Sequence, residues 1–346
     1  MKNVIIIFLF VITAALFSCE KVIIGDEPSN DPENNFELLW QDFDKHYALF
    51  NVKNIDWDAL YAEYRPQVNQ TTTDEELWDI LTEMLEHLND GHVILGDYQY
   101  RYFESGDSIL HVVEKEFDFG LILEKYSDYH LATYDEGLSY GKIKDKDIGY
   151  IHFFDVEGPD ASIIDDILQE LKDHKAIIID LRNNNGGNDE YAHRIAGAFA
   201  DGKHFIYTVQ TRNGPNHNDF DAPTKWYSKP EGSFQYTKPV ILLTSKYTVS
   251  GAEILTLNMK SFAHLTHMGD TTRGDHSDQS SLRFLPNGWS YAYANQLYLL
   301  PDGQNLEGIG IAPDIYVRNS REDIEDGNDI MLERAIEYLF EEYGIE

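Results

Sequence analysis

From Ile148 onward the sequence alternates short apolar runs with segments of helical periodicity, and this alternation restricts the fold more than any other feature. Gly149-Tyr150-Ile151-His152-Phe153 reads as a strand, Ile163 to Lys172 as a helix, and Ala176-Ile177-Ile178-Ile179-Asp180 as a second strand. A helix near Tyr191 to Phe199 follows, and later the apolar run Pro239-Val240-Ile241-Leu242-Leu243 leads into a helix after Ser250. Strands and helices in this order predict an α/β core over residues 148–346, closed by a helix near Asp329 to Tyr343. With 346 residues and 42% hydrophobic content, the chain can bury such a core in one large domain or two modest ones.

Ahead of the core, Phe36, Leu39, Trp40, Phe43 and Tyr47 recur at helical spacing, and a second helix fits Trp57 to Tyr64. Thr73 followed by Glu76 has the capping-box spacing and opens a stripe of Leu77, Leu81, Met84, Leu85 and Leu88. Residues 35–95 therefore predict an N-terminal helical unit that ends in Asn89-Asp90-Gly91-His92, a turn placing a histidine at the start of a strand. Residues 96–147 mix aromatic, apolar and charged positions and predict a β-rich connector, with strands near Phe119 to Leu123 and Tyr129 to Thr133.

The first 18 residues have the pattern of an export signal: Lys2 gives a positive start and Val4 to Phe17 an apolar stretch too short to span a bilayer permanently. Cys19 is the only cysteine, which excludes an internal disulfide, a thiolate metal cluster and a cysteine nucleophile within the folded domain. The run Leu16-Phe17-Ser18-Cys19 resembles the lipobox of bacterial lipoproteins, which implies lipidation of Cys19 and a membrane-anchored protein of the cell envelope. Residues 19–34, rich in Asp, Glu, Asn and Pro, predict a flexible tether. A formal charge of -34, spread along the chain, excludes a basic nucleic-acid footprint.

Ser250 stands where an apolar strand gives way to a helix, followed by Gly251. The first N–H groups of a helix lack intrahelical partners and carry the positive end of its dipole, so an oxyanion formed there meets donors. Serine is also a preferred N-cap, and the position alone fits either role. A serine hydroxyl attacks only when a base removes its proton, which directs attention to His92 among the 13 histidines and to Glu307 in a glycine-punctuated turn. The turn Asp180 to Gly187 ends a strand in consecutive glycines, and an N–H of Gly186 or Gly187 could complete an oxyanion hole with that of Gly251. His264, His267, His276 and Asp278 match no strict metal-ligand spacing, and no metal or cofactor is called for.

Taken together, Asp90-Gly91-His92-Val93, Asp180-Leu181-Arg182-Asn183-Asn184 with Gly186-Gly187, Ser250-Gly251-Ala252-Glu253, Gly269-Asp270-Thr271-Thr272 and Glu307-Gly308-Ile309-Gly310 resemble, in order, the motifs of the C-terminal-processing-peptidase family of serine peptidases. That family includes the tricorn-core peptidases and the repeats of interphotoreceptor retinoid-binding protein. The resemblance implies a crotonase-like or ClpP-like core of ββα units. In the serine–lysine branch the base lysine follows a glycine shortly after the Gly269-like motif, where this chain has Gly274-Asp275. The tricorn-like branch implies instead Ser250 as nucleophile, His92 as base and Glu307 as its partner. Some members carry a serine before the histidine, where this chain has Gly91, and the connector is too short for the PDZ domain of many relatives. The implied activity is hydrolysis of a peptide or protein substrate through an acyl-enzyme. A binding protein using the same cleft for a peptide or hydrophobic ligand, or another acyl hydrolase, shares the same features.

Overall fold

The computed structural model describes residues 29–106, 114–128, 132–134 and 137–345, so the expected export segment and Cys19 lie outside the described residues. Helix α1 (Pro32–His46) begins inside the stretch expected as tether, because the Asp31 side chain accepts the Asn34 N–H and Pro32 needs no donor at the first turn. Helices α2 (Trp57–Tyr64) and α3 (Asp74–Glu86) follow, the latter opened by the Thr73–Glu76 capping box.

This helical unit does not stand apart. Its apolar faces, with Phe36, Leu39, Phe43, Leu81 and Leu85, share a core with Leu95, Trp289, Tyr291 and Tyr293. Strands β1 (Ile94–Gly96) and β2 (Tyr102–Glu104) form a hairpin extended by β11 (Arg283–Phe284) and β12 (Ser290–Ala292), giving the antiparallel order β11-β12-β1-β2. The pairing Leu95↔Tyr291 ties the segment after His92 to residues nearly two hundred positions later and fixes where the histidine sits.

The central sheet contains β3 (Ala132–Tyr134), β4 (Leu138–Lys142), β5 (Ile148–Phe153), β6 (Ala176–Asp180), β9 (Val240–Thr244), β10 (Leu265–Gly269) and β14 (Ile315–Tyr316) in the order β14-β10-β9-β6-β5-β4-β3. From β5 to β14 the pairings are parallel, whereas β3, β4 and β5 form an antiparallel meander. All residues of β6 and β9 are buried, as expected of parallel strands covered on both faces. Ile177, Ile179 and Leu242 face α4 (Ile163–Leu171), α5 (Asp189–Gly197) and α6 (Gly251–Lys260); Ile178, Ile241 and Leu243 face α7 (Ile330–Tyr343). The core is therefore α/β. A third sheet, β13-β7-β8, joins Gln296–Leu299 to His204–Thr211 and Thr224–Ser228.

Within the segment 96–147, expected as a β-rich connector, β2, β3 and β4 are strands, but the strand expected near Phe119 to Leu123 is not formed. Phe119–Leu121 is helical and continues into a π-helical turn, Ile122–Tyr126, because Asp118 accepts the N–H groups of Gly120 and Leu121 and caps the helix. The end of the segment is part of the central sheet, since β4 pairs with β5 from Leu138↔Phe153 to Lys142↔Gly149.

Candidate active site

Neighbouring parallel strands β6 and β9 end at the same edge of the sheet, with Asp180 opposite Leu243, so the loops that follow them meet. The first loop carries Asn183 to Gly187 and the second delivers Ser250 to the start of α6. Ser250 has φ 52° and ψ -125°, a conformation that costs a non-glycine residue about 1–3 kcal/mol and must be held from outside. Its N–H donates to the Asp275 carbonyl at 3.1 Å and to Glu253 Oε2 at 3.2 Å.

Glu253 supplies most of that restraint. Its carboxylate is fully buried, with Oε1 accepting from Thr272 Oγ1 at 2.5 Å and from the Gly274 N–H at 2.8 Å, while Oε2 accepts the Asp275 N–H at 2.8 Å. One side chain thus ties the loop 272–275 to the turn holding the serine. Sequence reasoning did not single Glu253 out, although Ser250-x-x-Glu253 has the capping-box spacing that could have done so.

His92 arrives on the Asp90 turn. Asp90, itself buried, accepts the His92 N–H on Oδ1 at 2.9 Å and the Tyr47 hydroxyl on Oδ2 at 2.8 Å. This anchoring brings His92 Nε2 to 3.0 Å from Ser250 Oγ, the distance at which an imidazole can take the hydroxyl proton. The serine hydroxyl faces the histidine, whatever the backbone position shares with an N-cap.

Glu307 makes no direct hydrogen bond to either member of this pair. Its Oε1 accepts the N–H groups of His276 at 2.9 Å and Ser277 at 2.5 Å, so one oxygen of the carboxylate holds the loop 276–277. Glu307 Oε2 and His92 Nδ1 are both buried and without hydrogen-bond partners among the described residues. Burial first, then the charges of Asp90 and Asp275, push the Glu307 carboxyl well above the ordinary range, favouring its neutral form.

Of the two donors expected in the glycine turn, one is occupied. The Gly186 N–H donates to Asn184 Oδ1 at 2.8 Å, which occupies it, and Asn184 Nδ2 anchors the same turn to the Phe153 carbonyl at 2.9 Å. Among the described residues the N–H groups of Gly187 and Gly251 have no protein acceptor. The two glycines are in backbone contact, since a Cβ on Gly251 would lie 2.8 Å from the Gly187 carbonyl oxygen and 3.0 Å from its nitrogen. Gly251 and Gly187, without Gly186, thus form the pair of donors beside Ser250 that suits an oxyanion.

A cleft of about 480 Å³ opens over these atoms, lined by His92, Asn185, Gly187, Tyr247, Ser250 and Asp278 among others. Arg182 lies away from it, buried between Asp180 and Asp329 in ion pairs of 2.6 Å each. The arrangement can transfer a proton from a hydroxyl to an imidazole and hold an anion beside the oxygen left behind.

The description of peptidase family S41 matches residues 147–317, and that of the tricorn protease C1 domain matches residues 28–86. A solved structure of a candidate peptidase from Parabacteroides merdae is 30% identical, with 90% of this chain and 97% of that one aligned at a TM-score of 0.79. The mature CPAF structure shares the fold at 11% identity and a TM-score of 0.70, covering 89% of this chain and 96% of that one. Carboxy-terminal processing protease CtpA of Bacillus subtilis is 28% identical over 178 residues, which span 51% of this chain and 36% of that protein.

Proposed function

The chain belongs to peptidase family S41, and from that premise we propose that it is a serine peptidase acting through an acyl-enzyme on Ser250. The observation that carries the reading is the 3.0 Å approach of His92 Nε2 to Ser250 Oγ beside the N–H groups of Gly187 and Gly251. His92 takes the hydroxyl proton as Ser250 attacks the scissile carbonyl, and the two glycine N–H groups receive the oxyanion. The protonated His92 then gives its proton to the leaving amine, and water activated by the same imidazole releases the acyl group. Glu307 holds the loop 276–277 through Oε1, and with its buried, unpartnered Oε2 it is proposed as the acid partner of His92.

The substrate class is peptide or protein. Export through the apolar stretch Val4 to Phe17 and lipid anchoring on Cys19 belong to the same proposal, supported by the sequence of residues 1–19. No helix among the described residues is long and apolar enough to cross a membrane. Incubation of the purified protein with a mixed peptide library, read by mass spectrometry, tests the activity: cleavage products with the wild type and none with Ser250→Ala are expected, and an uncut library would overturn the reading.

A further inference from the structure

The catalytic cleft does not end at the oxyanion donors. A second cavity of about 460 Å³ adjoins it, and the two share Gly187 and Asp278 as lining residues. The sheet β13-β7-β8 forms one wall, because the register sets Tyr298 and Thr224 on either side of Val209, and opposite residues of antiparallel strands share a face. The start of α5 and the loop carrying Asp278 supply the rest. A group reaching in from Ser250 passes Gly187 first, so this cavity receives what lies next to the scissile bond.

The chemistry of this cavity is one-sided. Asp189, Glu190, Asp221 and Asp278 line it, and among the described residues no lysine, arginine or histidine does. Elsewhere in the fold Asp180 meets Arg182 at 2.6 Å and Asp165 meets Arg194 at 2.9 Å, whereas none of these four acids is in an ion pair among the described residues. Asp189 accepts only the neutral Tyr298 hydroxyl at 3.0 Å, and Asp221 Oδ1 the Thr211 N–H at 2.7 Å. Burial first, then the charge of Asp278, pushes the Asp189 carboxyl up to about 7, a penalty that a nearby cation removes. Trp226, stacked on His193 at 4.7 Å, and Tyr298 add aromatic surface for the stem and the charged end of a long basic side chain.

We propose that this cavity is a specificity subsite that takes a cationic group of the substrate, an ammonium or a guanidinium, with Asp189 and Asp278 as its recognition residues. The inference rests on the reading of Ser250 and His92 as nucleophile and base. Two parts of a peptide carry such a group: a lysine or arginine side chain flanking the scissile bond, and a free amino terminus close to it. The volume and the aromatic walls suit the side chain, whose stem they cover, while an amino terminus uses the acids alone. The formal charge of -34 acts in the same direction, drawing cationic peptides toward the molecule.

The test pairs N-acetylated peptides that carry arginine or its neutral isostere citrulline at each position around a cleavable bond. Free and acetylated amino termini are compared on a sequence without basic residues. Cleavage is read as kcat/KM with the wild type, Asp189→Asn and Asp278→Lys, and affinity by calorimetry with each of the three in the Ser250→Ala background. At one position arginine is expected to exceed citrulline at least about tenfold in both readings, and either variant to shrink that ratio at least about fivefold. A ratio of this kind is not moved by a general loss of structure. A preference of the same size for the free terminus, lost in the same variants, assigns the cavity to the amino terminus instead of a side chain. Equal handling of every pair by a wild type that a fluorophosphonate labels would overturn the proposal and leave the peptidase reading standing, as would a preference unmoved in both variants. If Asp189→Asn fails to unfold cooperatively, Asp278→Lys, at an exposed position, decides by the same ratio. A folded wild type that neither cuts peptides nor takes up the probe would sink the peptidase reading, and the affinity ratios in the Ser250→Ala background would still decide the cavity.

Discussion

Ser250 Oγ and His92 Nε2 lie 3.0 Å apart although 158 positions separate the residues in sequence. Two long-range devices produce the contact. The pairing of β1 with β12 carries His92 across to the catalytic core, and the side-by-side ends of β6 and β9 bring the glycine turn to the serine. Glu253 completes the arrangement by holding Ser250 in a backbone conformation it would not adopt alone.

Replacing Glu253 by Gln directs an amide donor at a cluster of N–H and O–H donors now served by two carboxylate oxygens. The expected loss is about 2–3 kcal/mol, because a buried donor loses its charged acceptor. Urea unfolding reads this as a lower midpoint with an unchanged slope. An unaltered midpoint would show that the carboxylate does not brace the turn.

Gly251→Ala puts a methyl group 2.8 Å from the Gly187 carbonyl oxygen and forces the two donors apart. Loss of one oxyanion donor costs about 10²–10³ in kcat, and a decrease of that size in peptide turnover is expected, with cooperative unfolding retained. Near-normal turnover would place the oxyanion elsewhere.

Asp189, at the start of α5, has its carboxyl pushed up to about 7 by burial and by the charge of Asp278, with Tyr298 donating to it at 3.0 Å. In the unfolded chain the same group titrates near about 3.9, so the native state binds the extra proton between those values. Stability from this group is therefore present at the acid end and lost as pH rises from about 4 to about 7. Asp189→Asn removes the dependence, and the melting temperature of the wild type minus that of the variant is expected to decrease across this range and level off above it. Parallel curves from pH 4 to 8 would contradict the shift.

If Cys19 is the lipidated terminus, the wild-type protein partitions with membranes and incorporates a fatty-acid analogue, whereas Cys19→Ser releases the domain to the soluble fraction. Equal membrane retention of both proteins would remove the anchor from the account.

Much of this was legible in the sequence where the signal is local. Strand β6 spans the expected Ala176 to Asp180, and α3 opens at the capping box formed by Thr73 and Glu76, because periodicity and caps act within a few residues. The meeting of Ser250 with His92 followed from the order of motifs. Partnerships were harder to see. Nothing in Asn184-Asn185-Gly186-Gly187 reveals that the Asn184 side chain takes the Gly186 N–H and leaves Gly187 as the donor. The same holds for Asp118, whose cap turns an apparent strand into helix, and for Asp275, whose carboxylate fits only because Gly91 lacks a side chain. Such contacts depend on register between distant segments, which composition and spacing do not encode.

The most direct measurement is intact-mass analysis of the purified domain after treatment with a fluorophosphonate probe, comparing the wild type with Ser250→Ala and His92→Ala. The account predicts one adduct per wild-type molecule, located on Ser250, and none in either variant. A folded wild type that takes up no probe, or an adduct that persists in Ser250→Ala, would contradict an activated serine at this site.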